Sequence, residues 1–342
     1  MSHRITDTDS VFSVREPMWH GLGHILPDYP TRDDVQRIVF PWEPVLQPLF
    51  RREIEVLPAM PALYPEDERD ELRESYVEVD GVHLVQRDDN HAVLGVMGDT
   101  YTPVLNRELL DIAEALEQSS TDVRYETGGS LKGGAKVWLL LRLAEPLVVD
   151  GDPHGEVLPY FALQNAHDGT AAFRGQSIMT RIVCDNTSNL ADLEARGRGT
   201  EFMFRHTASV RDRIEQAKEA LAGWRHSVSE WAALNEHLIT LRVSAAQSRE
   251  FVERFIPMPP PHLVSPRVEQ NVWDARKTLQ AILASATCAD VERTAYGLVQ
   301  ASIEYEQHHR AARSLESRFR RSYLERSKIA ADAAALAQEI AR

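Results

Sequence analysis

The chain has 342 residues, 43 % hydrophobic and 26 % charged, a globular balance that excludes a disordered or fibrous chain. No run approaches the roughly 18 apolar residues of a membrane span. With only Cys184 and Cys288, neither a disulfide framework nor a cysteine-rich zinc site can be built.

The formal charge of −14 is uneven. Residues 1–100 hold 9 Lys/Arg against 20 Asp/Glu, residues 101–200 hold 9 against 14, and residues 201–342 hold 20 against 18. The acidic field repels nucleic acid at long range, so any phosphate contact must come from local basic grooves.

In chain order, residues 1–31 read as irregular because Pro17, Pro27 and Pro30 interrupt regular structure. Within them, Met18-Trp19-His20-Gly21-Leu22-Gly23 suggests a glycine turn with Trp19 as a packing anchor and His20 in a structural role. Thr31-Arg-Asp-Asp is a helix start for Asp33–Val39. Prolines from Pro41 to Pro65 then mark an extended region with a strand over Phe50–Leu57. Tyr76–Gln86 alternates around Asp80-Gly81, a hairpin signal, and His91–Met97 continues the meander.

Asn106–Gln118 has helical spacing and a cap candidate in Asn106. Val123–Thr127, Lys136–Leu143, Leu147–Val149 and Val157–Leu163 return to strand character. After about Gly199 the period changes from 2 to 3.6. Helical patterns cover Ala208–Glu236, Ser244–Phe255, Pro266–Ala286, Asp290–Ala312 and Leu315–Ile340, with a proline breaker after Ile256. The expected fold is therefore α+β: a largely antiparallel sheet with an inserted helix, followed by a mostly helical region. Its expected parts are an irregular segment over 1–44, an α+β core over 45–200 and a helical region over 201–342.

Functional side chains concentrate between Phe161 and Ala191. Asn165-Ala166-His167-Asp168-Gly169 lies between two apolar runs, and Asp-Gly suits a turn. Asp185-Asn186-Thr187 follows the second run. His167, Asp168 and Asp185 could contribute to a divalent-metal site, with Asp152 or His154 adding a donor. Cys184 beside an apolar Ile-Val reads as a buried thiol rather than a nucleophile. Against the metal stands a polar network that only closes two strand ends.

Arg174 and Arg181 suit bidentate phosphate contacts or ion pairs with the neighbouring acids. Gly128–Gly134 lacks the Lys-Ser/Thr of a Walker loop and reads as a glycine-rich hairpin or a mobile loop, the alternative being backbone approach to a nucleic-acid phosphate helped by Lys132 and Lys136. Lys132 and Lys136 flank Trp138, and alternation places Lys136, Trp138 and Leu140 on one strand face. Such a mixture of cations and aromatics suits single-stranded nucleic acid. His308–Lys328 holds seven Lys/Arg against Glu316 and Glu325, the clearest basic stretch.

The Asn165-Ala-His-Asp-Gly block, Arg181-Ile-Val-Cys184-Asp-Asn186-Thr187, Trp19-His20-Gly-Leu-Gly and Thr294-Ala-Tyr-Gly together resemble the phage/plasmid-like protein family known as domain of unknown function 932. The resemblance spans nearly the whole chain. It implies a mobile-element origin and supplies no reaction. The family pattern has Ser where this chain has Ala166, so no role is carried over to a hydroxyl there.

Three functions follow as expectations. The first is a non-enzymatic phage or mobile-element protein that binds or anneals single-stranded DNA in recombination or replication. Lys132, Lys136, Arg142, Arg174 and Arg181 would track the backbone, and Trp138 and Phe173 would stack bases. The second is a structural or host-interaction protein without a nucleic-acid role. The third is a metal-dependent hydrolase or nuclease centred on His167, Asp168 and Asp185. No cofactor is required by the first two. The Ala- and Leu-rich helices after residue 208 point to a homo-oligomer. The sequence MSHRITDTDS lacks the layout of a signal peptide, so the expected location is the cytoplasm.

Overall fold

The computed structural model describes residues 10–15, 23–57, 71–119, 122–181, 186–189, 201–221, 224–310 and 329–342. In chain order the first half contains β1 (Val11–Val14), β2 (His24–Leu26), α1 (Arg32–Val39), β3 (Pro44–Leu57), β4 (Glu71–Arg87), β5 (Val93–Gly98) and α2 (Asn106–Ser119). Then come β6 (Val123–Leu131), β7 (Lys136–Leu143), β8 (Leu147–Val148), β9 (Glu156–Ala166), β10 (Phe173–Arg181), β11 (Asn186–Asn189) and β12 (Glu201–Phe204). The helical half contains α3 (Val210–Leu221), α4 (Trp224–Thr240), α5 (Ala245–Phe255), α6 (Pro266–Leu283), α7 (Ala295–Glu304) and α8 (Ile329–Ala341). The architecture is α+β, as the switch in patterning near Gly199 predicts.

The larger sheet runs β11-β10-β9-β7-β6-β1-β2, with β12 also on β10 and β8 on β9. All its pairings are antiparallel except β1 with β2. Alternation along β7 splits its apolar residues between two cores. Leu139 and Leu141 join Phe161, Trp224, Trp231, Tyr296 and Ala337 in one core that continues from the sheet into the helices. Trp138 and Leu140 face the other way, into a smaller cluster with Val11, Leu131, Ala162 and Ile178. Trp224 ties the two halves: its Nε1–H donates to Ser177 Oγ at 2.7 Å, and its ring meets Phe161 edge-on at 5.6 Å.

The second sheet is β3-β4-β5. Pro44 opens β3 and Pro48 lies within it, which is tolerated because β3 is an edge strand. β5 reaches only Val82–Gln86 of β4. Beyond that point β3 and β4 continue alone, from Phe50↔Glu78 to Leu57↔Glu71, as a two-stranded ribbon.

Three local expectations are corrected. The segment 1–31 is not wholly irregular: β1 forms because β6 supplies a partner more than 110 residues away. Asp80-Gly81 is not a hairpin turn. It sits in a bulge where the β3–β4 register jumps from Pro48↔His83 to Phe50↔Glu78, with Gly81 at φ 76°. The pattern over Ala208–Glu236 forms two helices, α3 and α4, rather than one. Among the described residues no helix is long and apolar enough to cross a membrane.

Candidate functional site

The polar block closes the β9–β10 connection. Asp168 Oδ1 accepts from Thr170 N at 3.0 Å and from Thr170 Oγ1 at 2.5 Å, while Gly169 takes φ 70°. This is an Asx turn with glycine in the left-handed region, as Asp-Gly suggests. Lys132, at the β6–β7 turn, brings its Nζ to 3.8 Å from Asp168 Oδ2. The glycine-rich segment Gly128–Gly134 is thus a hairpin, formed by β6, β7 and the turn between them.

Two buried histidines organise the inner side of this turn. His167 Nε2–H donates to Asn106 Oδ1 at 3.2 Å, and Asn106 Nδ2 donates to the Trp42 carbonyl at 2.8 Å. The amide orientation therefore sets the His167 tautomer and leaves Nδ1 as a bare acceptor, without a hydrogen-bond partner among the described residues. His206 Nε2–H donates to Asn165 Oδ1 at 2.6 Å, while Asn165 Nδ2 donates to the Val104 carbonyl at 3.1 Å. Rings complete the packing: Trp42 meets His167 edge-on at 5.6 Å, and Tyr101 stacks on His206 at 5.1 Å.

Burial dominates the electrostatics here. It pushes the His167 imidazole down to about 3, with neighbouring His206 lowering it further and Asp168 opposing. It also pushes His206 down to about 4. Both rings are neutral at pH 7. Glu43 lies at the start of α2, where its Oε2 accepts from Asn106 N at 2.6 Å and its Oε1 from Arg107 N at 3.1 Å. Burial raises this carboxyl above its ordinary value, against the pull of the two amides. A carboxylate from the loop before β3 thus caps α2, and the Asn106 side chain serves His167 and Trp42 rather than its own helix.

Arg181 forms a second node, 2 % exposed. Its Nε and Nη2 donate to the two oxygens of Asp152 at 2.8 and 2.9 Å, and its Nη1 donates to the Thr287 carbonyl at 2.6 Å. Its guanidinium lies 5.9 Å from the Tyr296 ring centroid. Arg181 therefore meets Thr294-Ala-Tyr-Gly, whose residues form the start of α7. Thr294 Oγ1 accepts from Gly297 N at 3.0 Å and donates to the Val291 carbonyl at 2.7 Å. A Cβ on Gly297 would stand 2.0 Å from that carbonyl oxygen, so only glycine fits.

The side chains expected to hold nucleic acid are not gathered on one open face. Trp138 and Phe173 are buried, at 2 % and 0 % exposure. Trp138, expected to stack bases, fills the smaller core, and Phe173, expected to do the same, packs on Phe202 at 5.5 Å. Arg181 likewise directs donors to the buried Asp152 carboxylate and to the Thr287 carbonyl. Arg142 bonds to the Tyr29 hydroxyl and lies 3.4 Å from Glu126. Arg174 approaches Glu201 at 3.9 Å and Met203 Sδ at 3.5 Å. Lys136 is half-buried, directly opposite Ala166 in the ladder.

Of the metal candidates, His167 and Asp168 are adjacent, but Asp168 is engaged in the turn, and Asp185 lies outside the described residues. Asp152 serves Arg181, and His154 approaches Asp290 at 3.6 Å. Among the described residues no three His, Cys, Asp or Glu are placed to hold a metal ion. Trp19, His20 and Cys184 lie outside the described residues. Asn186 and Thr187 begin β11, opposite Arg181 and Thr180. The sequence reading missed Glu43, Trp42, Tyr101 and His206, because each reaches the block from a distant stretch with no local motif.

The model of a family described as Domain of unknown function (DUF932) matches residues 93–326, which include the polar block, Arg181 and α7. No curated protein and no solved structure matches the chain.

Proposed function

Because the chain belongs to this family of unknown function, whose description names no activity, we propose its role from its own geometry: a non-enzymatic interaction protein that works through contacts with other polypeptide. The observation that carries this reading is the β3–β4 ribbon. Directly opposed residues in an antiparallel ladder share a face. One face of the ribbon therefore holds Phe50, Arg52 and Ile54 from β3 with Glu74, Tyr76 and Glu78 from β4. Phe50 and Ile54 are each 51 % exposed and Tyr76 is 67 % exposed. A two-stranded ribbon is marginally stable by itself in water, and large exposed apolar side chains in register on one face mark a contact surface.

The polar block supports the same reading from the other side. Its histidines are neutral and bond to the Asn106 and Asn165 amides, Glu43 accepts from backbone, and Arg181 bonds to Asp152 and to backbone. These bonds brace β9, β10, α2 and α7 against each other. In this reading the chain acts in the cytoplasm and requires no cofactor. Single-strand DNA binding is the rival, with fewer exposed cations and stacking rings at the expected positions to carry it.

A titration of labelled single- and double-stranded oligonucleotides across salt, with EDTA and with Mg²⁺, separates the two. The expected result is no saturable binding near physiological ionic strength and no cleavage. Binding whose log-affinity falls by about 0.7 per phosphate contact against log salt would overturn the proposal, as would Mg²⁺-dependent cleavage.

A further inference from the structure

We infer that the β3–β4 ribbon joins the ribbon of a second copy of this chain edge to edge, β4 against β4, about a two-fold axis at Ser75. The inference rests on the interaction reading above and adds the occupant. β5 covers β4 only over residues 82–86. Over residues 71–81 that edge of β4 meets no further strand among the described residues. Residues 50–55 and 73–78 all expose their side chains, so the ribbon stands clear of the body on both faces. Alternate residues of such an edge offer backbone N–H and C=O groups, a template for another strand. Residues 71–81 carry no proline to blunt it, whereas β3 carries Pro44 and Pro48.

The side-chain pattern of β4 complements itself in one register. Two identical antiparallel strands related by a two-fold axis set one residue opposite its own copy. On β3, an axis at Arg51, Arg52, Glu53 or Glu55 sets a charge against itself, and one at Ile54 sets Glu53 against Glu55. On β4, axes at Arg73 and Glu74 do the same, one at Tyr76 opposes Glu74 to Glu78, and one at Val77 opposes Glu74 to Asp80. An axis at Ser75 avoids every such clash. Ser75 then faces Ser75, Glu74 faces Tyr76, Arg73 faces Val77 and Glu71 faces Val79. Like charges directly opposed destabilise a ladder, so β4 can pair with its copy where β3 cannot. The ion pairs Arg51–Glu53 and Arg52–Glu74 lie within one copy and need not break. Two marginal two-stranded ribbons become one four-stranded sheet, with Phe50, Ile54 and Tyr76 of both copies on one face. The contact uses the same patch on each copy, so assembly closes at a dimer.

Sedimentation velocity of the full chain, with the variants Ser75→Glu and Ser75→Lys, tests this. Ser75 is exposed, so both variants should keep the parent's circular-dichroism melting curve. The parent should form a dimer at tens of micromolar protein. Each ribbon is net acidic, with Arg51, Arg52 and Arg73 against Glu53, Glu55, Glu71, Glu74, Glu78 and Asp80. The dimer should therefore tighten as salt rises from about 0.05 to 0.5 M and screens that repulsion. Each variant alone sets like charges together at the axis, which should raise the dimer dissociation constant at least about tenfold. Mixed in equal amounts, the two variants should pair at least as tightly as the parent, because opposite charges then meet at the axis.

A monomeric parent at every concentration would overturn the inference, as would a dimer that dissociates when salt rises. So would variants that dimerise like the parent, or two weakened variants that do not recover on mixing. None of these results decides the interaction reading itself, which stands or falls by the oligonucleotide titration.

Discussion

The Arg181–Asp152 pair should behave as a unit whose halves cannot be removed singly. Both side chains are almost wholly excluded from solvent, at 2 % and 1 % exposure. In Arg181→Met, the Asp152 carboxylate loses two charge-assisted hydrogen bonds and keeps one backbone donor, His154 N at 3.0 Å. In Asp152→Leu, the guanidinium keeps the Thr287 carbonyl and the Tyr296 ring face. Leaving one buried charge without its partner costs about 3–5 kcal/mol, so each single change should lower unfolding stability by about that amount.

The double variant Arg181→Met/Asp152→Leu removes both charges and fills the space with apolar groups. It should cost only about 1–2 kcal/mol, mainly for the Thr287 carbonyl that loses its donor. Urea unfolding followed by tryptophan fluorescence and far-ultraviolet circular dichroism gives the three differences against the parent. The singles should sum to several kcal/mol more than the double. Single variants within about 1 kcal/mol of the parent, or a double as unstable as the sum, would refute the claim that this buried pair locks β10 to the start of α7.

Three further outcomes follow from the same packing. The lowered pKa values of His167 and His206 make stability fall with acid: the unfolded chain takes up protons near 6.5 and the folded chain only near 3 to 4. The full contribution is present above 6.5. It should decline by about 2 kcal/mol per histidine by pH 5, measured by urea midpoints from pH 7.5 to 5, and a flat profile would contradict their burial as neutral rings. Gly297→Ala should cost at least about 3 kcal/mol or prevent soluble expression, since its methyl would collide with the Val291 carbonyl. A melting temperature equal to the parent's would show that α7 can shift. Glu43→Ala should cost about 1–2 kcal/mol by uncapping α2, seen as faster amide exchange at Asn106 and Arg107, and unchanged exchange there would remove Glu43 from the cap.

What the sequence determined by itself is what a few neighbouring residues decide. Thr31 and Asp34 form a reciprocal cap at α1, and Ser244 with Gln247 does the same at α5. Asp168-Gly169 turns, the Gly128–Gly134 segment makes a hairpin, and β7 spans Lys136–Leu143 as alternation indicates. The two polar stretches that form the candidate site, around Asn165 and at Arg181, were legible as unusual concentrations of functional groups.

Their roles were not legible, because a role depends on the partner. Arg181 reads equally as a phosphate clamp or an ion pair until Asp152, 29 residues earlier, and Thr287, 106 residues later, arrive beside it. β1 needed β6, the α2 cap needed Glu43 from 63 residues upstream, and Asp80-Gly81 became a bulge because β3 runs past it. Trp138 is inside because the sheet buries both its faces. Local hydrogen bonds and side-chain periodicity act within a few residues and survive in any context. Ion pairing, burial and long-range strand partnership are set by which distant segments meet, and only the tertiary structure decides that.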